Sequence, residues 1–207
     1  MKNLAVIFPG IGYHVDKPLL YYTRKLLKEF GYEVLELQFK DFPQDVFGSK
    51  EKLEQSLEIS FLQATELLKD VNFSDYENII FVSKSIGTSC ALRYDIKNNV
   101  NAYHVLFTPL ALTFSFLCKD DVLALKNKVL AFHGTSDPWF KNKECRALCK
   151  KNAVTLVEYK NANHSLETGN AMGNVKILQN ALRKVKKFIR NTVRIQKKCW
   201  RLFCRQQ

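Results

Sequence analysis

The chain is short of the residues that mark fibrous or irregular proteins. Among its 207 residues are only 8 glycines and 5 prolines, which excludes collagen-like and low-complexity chains. No internal repeat and no Gly/Ser-rich linker interrupts the sequence. Hydrophobic residues make up 46% of the chain, too large a share for a disordered polymer. The length therefore predicts one domain with its own hydrophobic core.

The sequence also lacks a long apolar segment. Its most apolar stretch, residues 105–117, is broken by Thr, Pro and Ser, so we expect no membrane span. At the N-terminus, one Lys precedes six residues that lead to Pro9-Gly10, which is too short for the core of a signal peptide. We therefore expect a soluble, cytoplasmic protein.

The cysteines form no recognisable metal or redox motif. There are six, at positions 90, 118, 145, 149, 199 and 204, with no C-x-x-C pair. Cys145 and Cys149 have no neighbouring His in the sequence to complete a zinc site. An even number is compatible with disulfides, but a chain of this length without a signal peptide fits a reducing compartment better. We expect no metal ion and no cofactor.

Acidic residues are absent after Glu167. The formal net charge is +12, yet the first 167 residues hold 21 basic and 20 acidic residues, because eleven basic residues follow them. We assign residues 1–193 to the domain and residues 194–207 to a basic, aromatic-containing C-terminal extension. The extension suits an anionic membrane surface or an acidic partner. No nucleic-acid motif is present, so we expect no nucleic-acid partner.

Apolar runs of strand length alternate with helical patterns along the body. Strands are predicted at 3–8, 32–39, 78–82, 102–107, 128–133 and 154–159, and helices at 18–30, 50–69, 86–97, 140–151 and 174–193. This alternation predicts an α/β fold with a three-layer, open, mostly parallel sheet of about six strands and helices on both faces. In such a sheet the site lies at the carboxyl ends of the strands.

The connection after the fourth strand, Thr108–Asp121, is apolar and rich in Phe and Leu. It follows the carboxyl end of a strand, where an active-site loop would lie. Two interpretations stay open, namely a short helix packed on the sheet and a small lid or pocket wall over the site.

The strongest local motif is Ser83-Lys84-Ser85-Ile86-Gly87, between an apolar strand and a helix. A nucleophile elbow is a sharp strand-to-helix turn, and small residues two positions before and after the nucleophile let strand and helix pack closely. Ser85 occupies the central position. Ser and Gly also begin ordinary helices as caps, so the strand–turn–helix context is what favours a nucleophile.

Two further polar residues follow the last two strands. A nucleophilic serine needs a base, and the base needs an orienting acid. His164 lies in a polar loop after the sixth strand, and Asp137 follows the fifth. A loop His is often simply exposed, and an Asp before Pro-Trp is commonly a turn residue, but both follow strands at the edge where Ser85 should emerge. His133 and His104 lie within strands and are expected to be structural.

A nucleotide-binding loop is a rival interpretation of the first turn. Gly10-Ile11-Gly12 follows the first strand, but Val15 stands where a dinucleotide motif has its third glycine. Pro18 begins the next helix well beyond the second glycine, so no helix N-terminus would meet a pyrophosphate. The chain has no G-x-x-x-x-G-K-[ST] motif, which excludes a P-loop.

Ser85, Asp137 and His164, each following a successive strand, resemble the α/β-hydrolase superfamily in chain order and placement. The resemblance covers roughly residues 3–193 and points to a minimal α/β-hydrolase, a compact dienelactone-hydrolase-like or esterase-like member that lacks the first two strands and most of the cap. It implies Ser85 as the nucleophile, His164 as general base and acid, and Asp137 as the orienting carboxylate.

The resemblance extends to the first turn. The segment Phe8–His14 is similar to the oxyanion loop of the family, although Pro9 stands where many members have His. It implies an oxyanion hole formed by the backbone N–H groups of Ile86 and Ile11.

The activity implied is that of a serine hydrolase of the carboxylesterase or thioesterase type. Its substrate would be a small carboxylic ester or thioester, cleaved through an acyl-enzyme. The alternative is a non-catalytic protein on the same scaffold that binds a membrane surface or an acidic partner through its basic tail. The acyl group, the leaving group and the oligomeric state do not follow from the sequence.

Overall fold

A computed structural model describes residues 2–203, with side chains described for residues 2–192. The strands are β1 (Asn3–Phe8), β2 (Tyr32–Glu36), β3 (Asn78–Lys84), β4 (Tyr103–Phe107), β5 (Val129–Gly134) and β6 (Thr155–Tyr159). The α-helices are α1 (Pro18–Glu29), α2 (Lys50–Leu67), α3 (Ile86–Asn98), α4 (Lys119–Leu125), α5 (Asn142–Lys151) and α6 (Ala171–Phe203), and short 3-10 helices cover Phe73–Asp75 and Ala111–Phe114. Among the described residues, no helix has both the length and the apolar character needed to cross a bilayer.

The six strands form one parallel sheet in the order β2-β1-β3-β4-β5-β6. Helices α1 and α6 pack on one face, where their apolar side chains join those of β1, β3 and β4. Helices α2 and α3 cover β1 and β3 on the other face, and α5 covers β4 and β5 there. The predicted three-layer α/β architecture is confirmed, and the sheet is parallel throughout.

The element boundaries follow from local contacts. Strand β2 ends at Glu36, before the predicted Phe39, although Leu37 N–H still donates to Ile7 C=O at 3.0 Å. Helix α6 begins three residues before its predicted start, because the side chain of Asn170 accepts a hydrogen bond from Gly173 N–H at 2.7 Å and caps the first turn. The same helix continues across the predicted boundary at 193/194. The side chains of the predicted extension lie outside the described residues.

The connection after β4 is helical. It contains the 3-10 helix Ala111–Phe114 and the start of α4. Thr113 is fully buried, and its Oγ1 lies 2.7 Å from Thr88 Oγ1 and 3.0 Å from Ser89 Oγ on α3. The segment therefore packs on α3. Phe114 also joins the cluster that contains Leu106 of β4 and Ala131 of β5, in agreement with the first interpretation, a short helix packed on the sheet.

A buried polar pair joins α3 to β4. The carboxylate of Asp95 accepts a hydrogen bond from Ala102 N–H at 3.1 Å through Oδ1, and its Oδ2 lies 2.7 Å from His104 Nε2. His104 is fully buried and Asp95 nearly so. Because buried polar groups are costly when they lack partners, this pair fixes the approach of α3 to β4.

We expect Asp95→Ala to lower the free energy of unfolding by about 3 kcal/mol, because it leaves buried His104 and Ala102 N–H without their partner. Urea denaturation followed by circular dichroism measures this loss. The matched control is Glu66→Ala, which removes an ion pair with Lys69 on the exposed face of α2 and should cost less than about 1 kcal/mol. Equal losses in the two variants would contradict the role of Asp95.

Candidate active site

The turn between β3 and α3 holds Ser85 in a strained backbone conformation. Its φ and ψ are 53° and −123°, a region that residues with a side chain rarely adopt. Hydrogen bonds fix it from both sides. Ser85 N–H donates to Phe107 C=O at 3.1 Å, and Thr88 donates to Ser85 C=O from its N–H at 2.9 Å and its Oγ1 at 2.6 Å. This is the sharp strand-to-helix turn that the motif predicts.

The start of α3 lies against the loop that follows β1. A Cβ atom on Gly87 would lie 2.4 Å from the carbonyl oxygens of both Phe8 and Pro9, so only glycine fits there. On the other side of the turn, Ser83 is fully buried and fills the position where the motif more often has glycine. Both small-residue positions therefore meet the packing requirement of the turn.

The structure brings the three predicted site residues into one hydrogen-bonded chain. His164 Nε2 lies 2.8 Å from Ser85 Oγ, and His164 Nδ1 lies 2.8 Å from Asp137 Oδ2. The carboxylate can only accept, which assigns the proton of the neutral ring to Nδ1 and leaves Nε2 to accept the serine O–H. These distances are those that a nucleophile, its base and an orienting carboxylate require.

Asp137 serves the local turn and the histidine at the same time. Its N–H donates to Gly134 C=O at 3.0 Å, and its Oδ1 accepts from Trp139 N–H at 2.9 Å. The second oxygen, Oδ2, is thereby aimed at His164. Asp137 holds the local turn through Oδ1 and contacts His164 through Oδ2, so the turn and the predicted site use different oxygens of one carboxylate.

The loop that carries His164 is held by its neighbour Asn163. The Asn163 side chain accepts from Ser165 N–H at 2.8 Å and from Glu167 N–H at 3.1 Å. The loop also lies against the end of β5, where a Cβ on Gly134 would come within 2.3 Å of Ala162 C=O. Sequence reasoning missed both contacts. The signal for the first was the Asn directly before the histidine, a residue whose side chain often bonds the backbone two positions on.

The surroundings of His164 favour the neutral imidazole. Burial lowers the pKa of His164 below its ordinary value of 6.5, because it disfavours the charged form. The hydrogen bond to Asp137 acts in the opposite direction, and the positive charge of Lys84 adds to the lowering. The lowered pKa makes the imidazole of His164 mostly unprotonated at neutral pH.

The two predicted oxyanion-hole residues lie beside Ser85. Ile86 is the first residue of α3, and Ile11 follows β1 and is 39% exposed. Both line a cavity that also reaches Ser85 and His164. Within the described part of the chain, neither backbone N–H donates a hydrogen bond to another group, so both are available to a ligand.

This cavity has a volume of about 550 Å³. Part of its wall comes from Trp139 and from residues 43–47, in the segment between β2 and α2. The rings of Phe47 and Trp139 meet edge to face with their centroids 4.8 Å apart. The ring centroids of Trp139 and His164 are 5.6 Å apart. Sequence reasoning did not identify residues 43–47, and no residue of Thr108–Asp121 lines this cavity.

The other buried histidines have structural partners. His133 Nε2 lies 2.8 Å from Asn142 Oδ1 at the start of α5, and His104 is paired with Asp95, in agreement with the predicted structural roles. Among the described residues, no group of three or more His, Cys, Asp or Glu side chains is arranged to hold a metal ion.

No protein-family model matches the chain, and no curated protein matches it in sequence. Solved structures do match. The esterase Est1E from Butyrivibrio proteoclasticus is 15% identical, with a TM-score of 0.63 over 93% of this chain and 88% of Est1E. The esterase Pf2001 from Pyrococcus furiosus is also 15% identical, with a TM-score of 0.63 over 92% of this chain and 83% of the esterase.

A third match is XC6422 from Xanthomonas campestris, described as an α/β serine hydrolase without a lid. It is 14% identical, with a TM-score of 0.57 over 87% of this chain and 81% of that protein. At such low identities the matches show the fold and do not show the activity. They cover most of both chains and agree with the six-stranded parallel sheet described above. The chain has the fold of the α/β-hydrolase superfamily.

Proposed function

We propose that the protein is a serine hydrolase that cleaves a small carboxylic ester or thioester through an acyl-enzyme. The observation that carries this proposal is the hydrogen-bonded chain from Ser85 Oγ through His164 to Asp137, with 2.8 Å at each step. A serine hydroxyl is a weak nucleophile until a base removes its proton. His164 is in place to be that base, with Nε2 free to accept the proton and with a pKa lowered from its ordinary value of 6.5.

The reaction follows from this arrangement. Ser85 Oγ attacks the carbonyl carbon while its proton passes to His164 Nε2, and a C–O bond forms as the carbonyl π bond opens. His164 then gives this proton to the leaving oxygen or sulfur. The bond between that atom and the carbonyl carbon breaks as the carbonyl re-forms, and an alcohol or thiol departs. Water repeats the sequence on the acyl-enzyme, releasing the acid and restoring Ser85. Asp137 stabilises the imidazolium that forms in each half.

The negative charge on the carbonyl oxygen needs donors that are already in place. The N–H groups of Ile86 and Ile11 flank Ser85 and are unused by other described groups. In comparable enzymes, the loss of one such donor raises the barrier by about 3–4 kcal/mol. The contact of Gly87 with Phe8 C=O and Pro9 C=O sets the distance between the two segments that carry these donors.

The cavity favours a small substrate with an apolar group. Residues such as Val46, Phe47 and Trp139 form its wall, and its described lining contains no Lys or Arg to pair with a substrate carboxylate. The alternative of a non-catalytic binding protein is not favoured, since binding alone needs neither a strained Ser85 nor the directed bonds of His164.

A fluorophosphonate probe tests the nucleophile. We expect intact-mass spectrometry to show one adduct on the wild type and none on Ser85→Ala, because only an activated serine attacks phosphorus. The hydrolysis of p-nitrophenyl acetate and of an acetyl thioester should fall at least ~10³-fold in Ser85→Ala.

The matched control is Ser136→Ala, which removes an exposed serine at the same edge of the sheet and should label like the wild type. An adduct on Ser85→Ala, or the absence of one on the wild type, would contradict the proposal.

The rate of labelling should depend on pH through His164. Protonated His164 cannot accept the serine proton, so the rate should rise with pH through the pKa of this histidine and then level off. Since that pKa is lowered, we expect the half-maximal rate below pH 6.5 and a plateau from about pH 7.5. The exposed His14 provides the control variant His14→Gln, which should keep the same profile. A midpoint above pH 7 would contradict the assignment.

The basic extension, residues 194–207, gives a separate proposal about partners. It rests on the sequence, where basic residues and no acidic ones follow Glu167. We expect the fourfold variant R194Q/K197Q/K198Q/R201Q to bind phosphatidylserine vesicles less well than the wild type in a sedimentation assay. The double variant K186Q/K187Q, in the preceding part of α6, is the control. Undiminished binding of the fourfold variant would remove the proposal.

A further inference from the structure

Lys84 is a buried cation that the proposed reaction does not use. It is the last residue of β3, pairs in register with Phe107 of β4 and directly precedes Ser85. Only 1% of its surface is exposed. Lysine is almost never buried this completely, because removing its charge from water is costly. A side chain kept there against that cost calls for an explanation.

The loop after β1 encloses this side chain. Lys84 Nζ lies 4.9 Å from the centroid of the Tyr13 ring, within the range in which an aromatic face attracts a cation. The ring is itself held, since Tyr13 Oη accepts a hydrogen bond from Leu19 N–H at 3.2 Å. A Cβ on Gly10 would lie 3.5 Å from Lys84 Cγ and 3.1 Å from Ser85 Cβ. Lys84 therefore sits between the predicted oxyanion loop and the nucleophile turn.

The charged groups around Lys84 belong to the candidate site. The carboxylate of Asp137, after β5, attracts its ammonium, and the imidazole of His164, after β6, is repelled by it when protonated. The positive charge of His133 also lowers the pKa of His164, and the negative charge of Glu167 raises the pKa of Tyr13. Burial lowers the pKa of Lys84 to about 7, against the attraction of Asp137. Lys84 is thus charged throughout the acidic range in which His164 gains its proton.

We propose that Lys84 is a positioning residue of the Ser85–His164–Asp137 site, whose enclosed ammonium group opposes a positive charge on His164 and so keeps the imidazole able to accept the serine proton. The inference rests on the proposed function. The charge of Lys84 extends toward acid pH the range in which His164 can accept a proton.

A role in packing alone makes a different prediction. Methionine fills nearly the same volume as the lysine stem but carries no charge. Replacing a buried charge with an apolar group of similar size is often neutral or stabilising, so Lys84→Met should unfold at the same temperature as the wild type or higher. If Lys84 only fills space, this variant will leave the titration of His164 unchanged.

The test is a histidine NMR titration of the full-length protein, which requires no turnover. The His164 signal is assigned with His164→Gln and followed from pH 4.5 to 8.5. We expect Lys84→Met to raise the midpoint of His164 by ~0.5–1 pH unit, because a neighbouring positive charge has been removed. The pH profile of fluorophosphonate labelling should move by the same amount.

The matched control is Lys160→Met, which removes an exposed charge four residues before His164 and should leave the midpoint in place. Lys84→Gln is the second neutral variant and should shift it as Lys84→Met does. An unshifted His164 midpoint in the folded variants would overturn the proposal. So would failure of both variants to fold, because Lys84 would then be needed for the fold itself. A wild type that takes no fluorophosphonate would instead overturn the proposed hydrolase, and the titration would still test Lys84.

Discussion

The parallel hydrogen bonding of β3, β4, β5 and β6 is the constraint on which the site depends. Because the strands run in one direction, the residues that follow them meet at one edge of the sheet. Ser85 and His164 are 79 residues apart in the chain and yet lie 2.8 Å apart in the fold. Register sets their approximate position, and two glycines set the final distances. Gly87 lets α3 touch the loop after β1, and Gly134 lets β5 touch the loop that carries His164.

Electrostatics within this edge is a balance among a few enclosed groups. Burial and the positive charge of Lys84 lower the pKa of His164, while Asp137 raises it. The same carboxylate steadies the ammonium of Lys84, whose other neighbour is the ring of Tyr13. One buried carboxylate therefore raises the pKa of both Lys84 and His164. In a low-dielectric setting a change in one of these charges is felt by the others, which couples the turn at Ser85 to the loop at His164.

The sequence predicted the parts of the molecule that depend on local pattern. The strand at Asn3–Phe8 is apolar and bounded by a turn, and its predicted limits agree with β1. Ser85, Asp137 and His164 could be grouped because chain order fixes which strand ends they follow. The cavity wall at residues 43–47 could not be predicted, since the path of that connection depends on the distant contact of Phe47 with Trp139. The burial of Lys84 was equally hidden, because composition alone places a lysine at the surface.

Two local preferences are broken at consecutive residues of the candidate site. Ser85 has a positive φ without being glycine, and Lys84 keeps a charge away from water. Each feature lowers stability on its own, so the surrounding structure must hold it in place. Hydrogen bonds from Thr88 hold the turn, and Asp137 and Tyr13 offset the charge. Conflicts between local preference and fold are expected at functional sites. Their occurrence in two consecutive residues, of which Ser85 contacts His164, is therefore a physical argument for chemistry at this edge that does not depend on any likeness to other proteins.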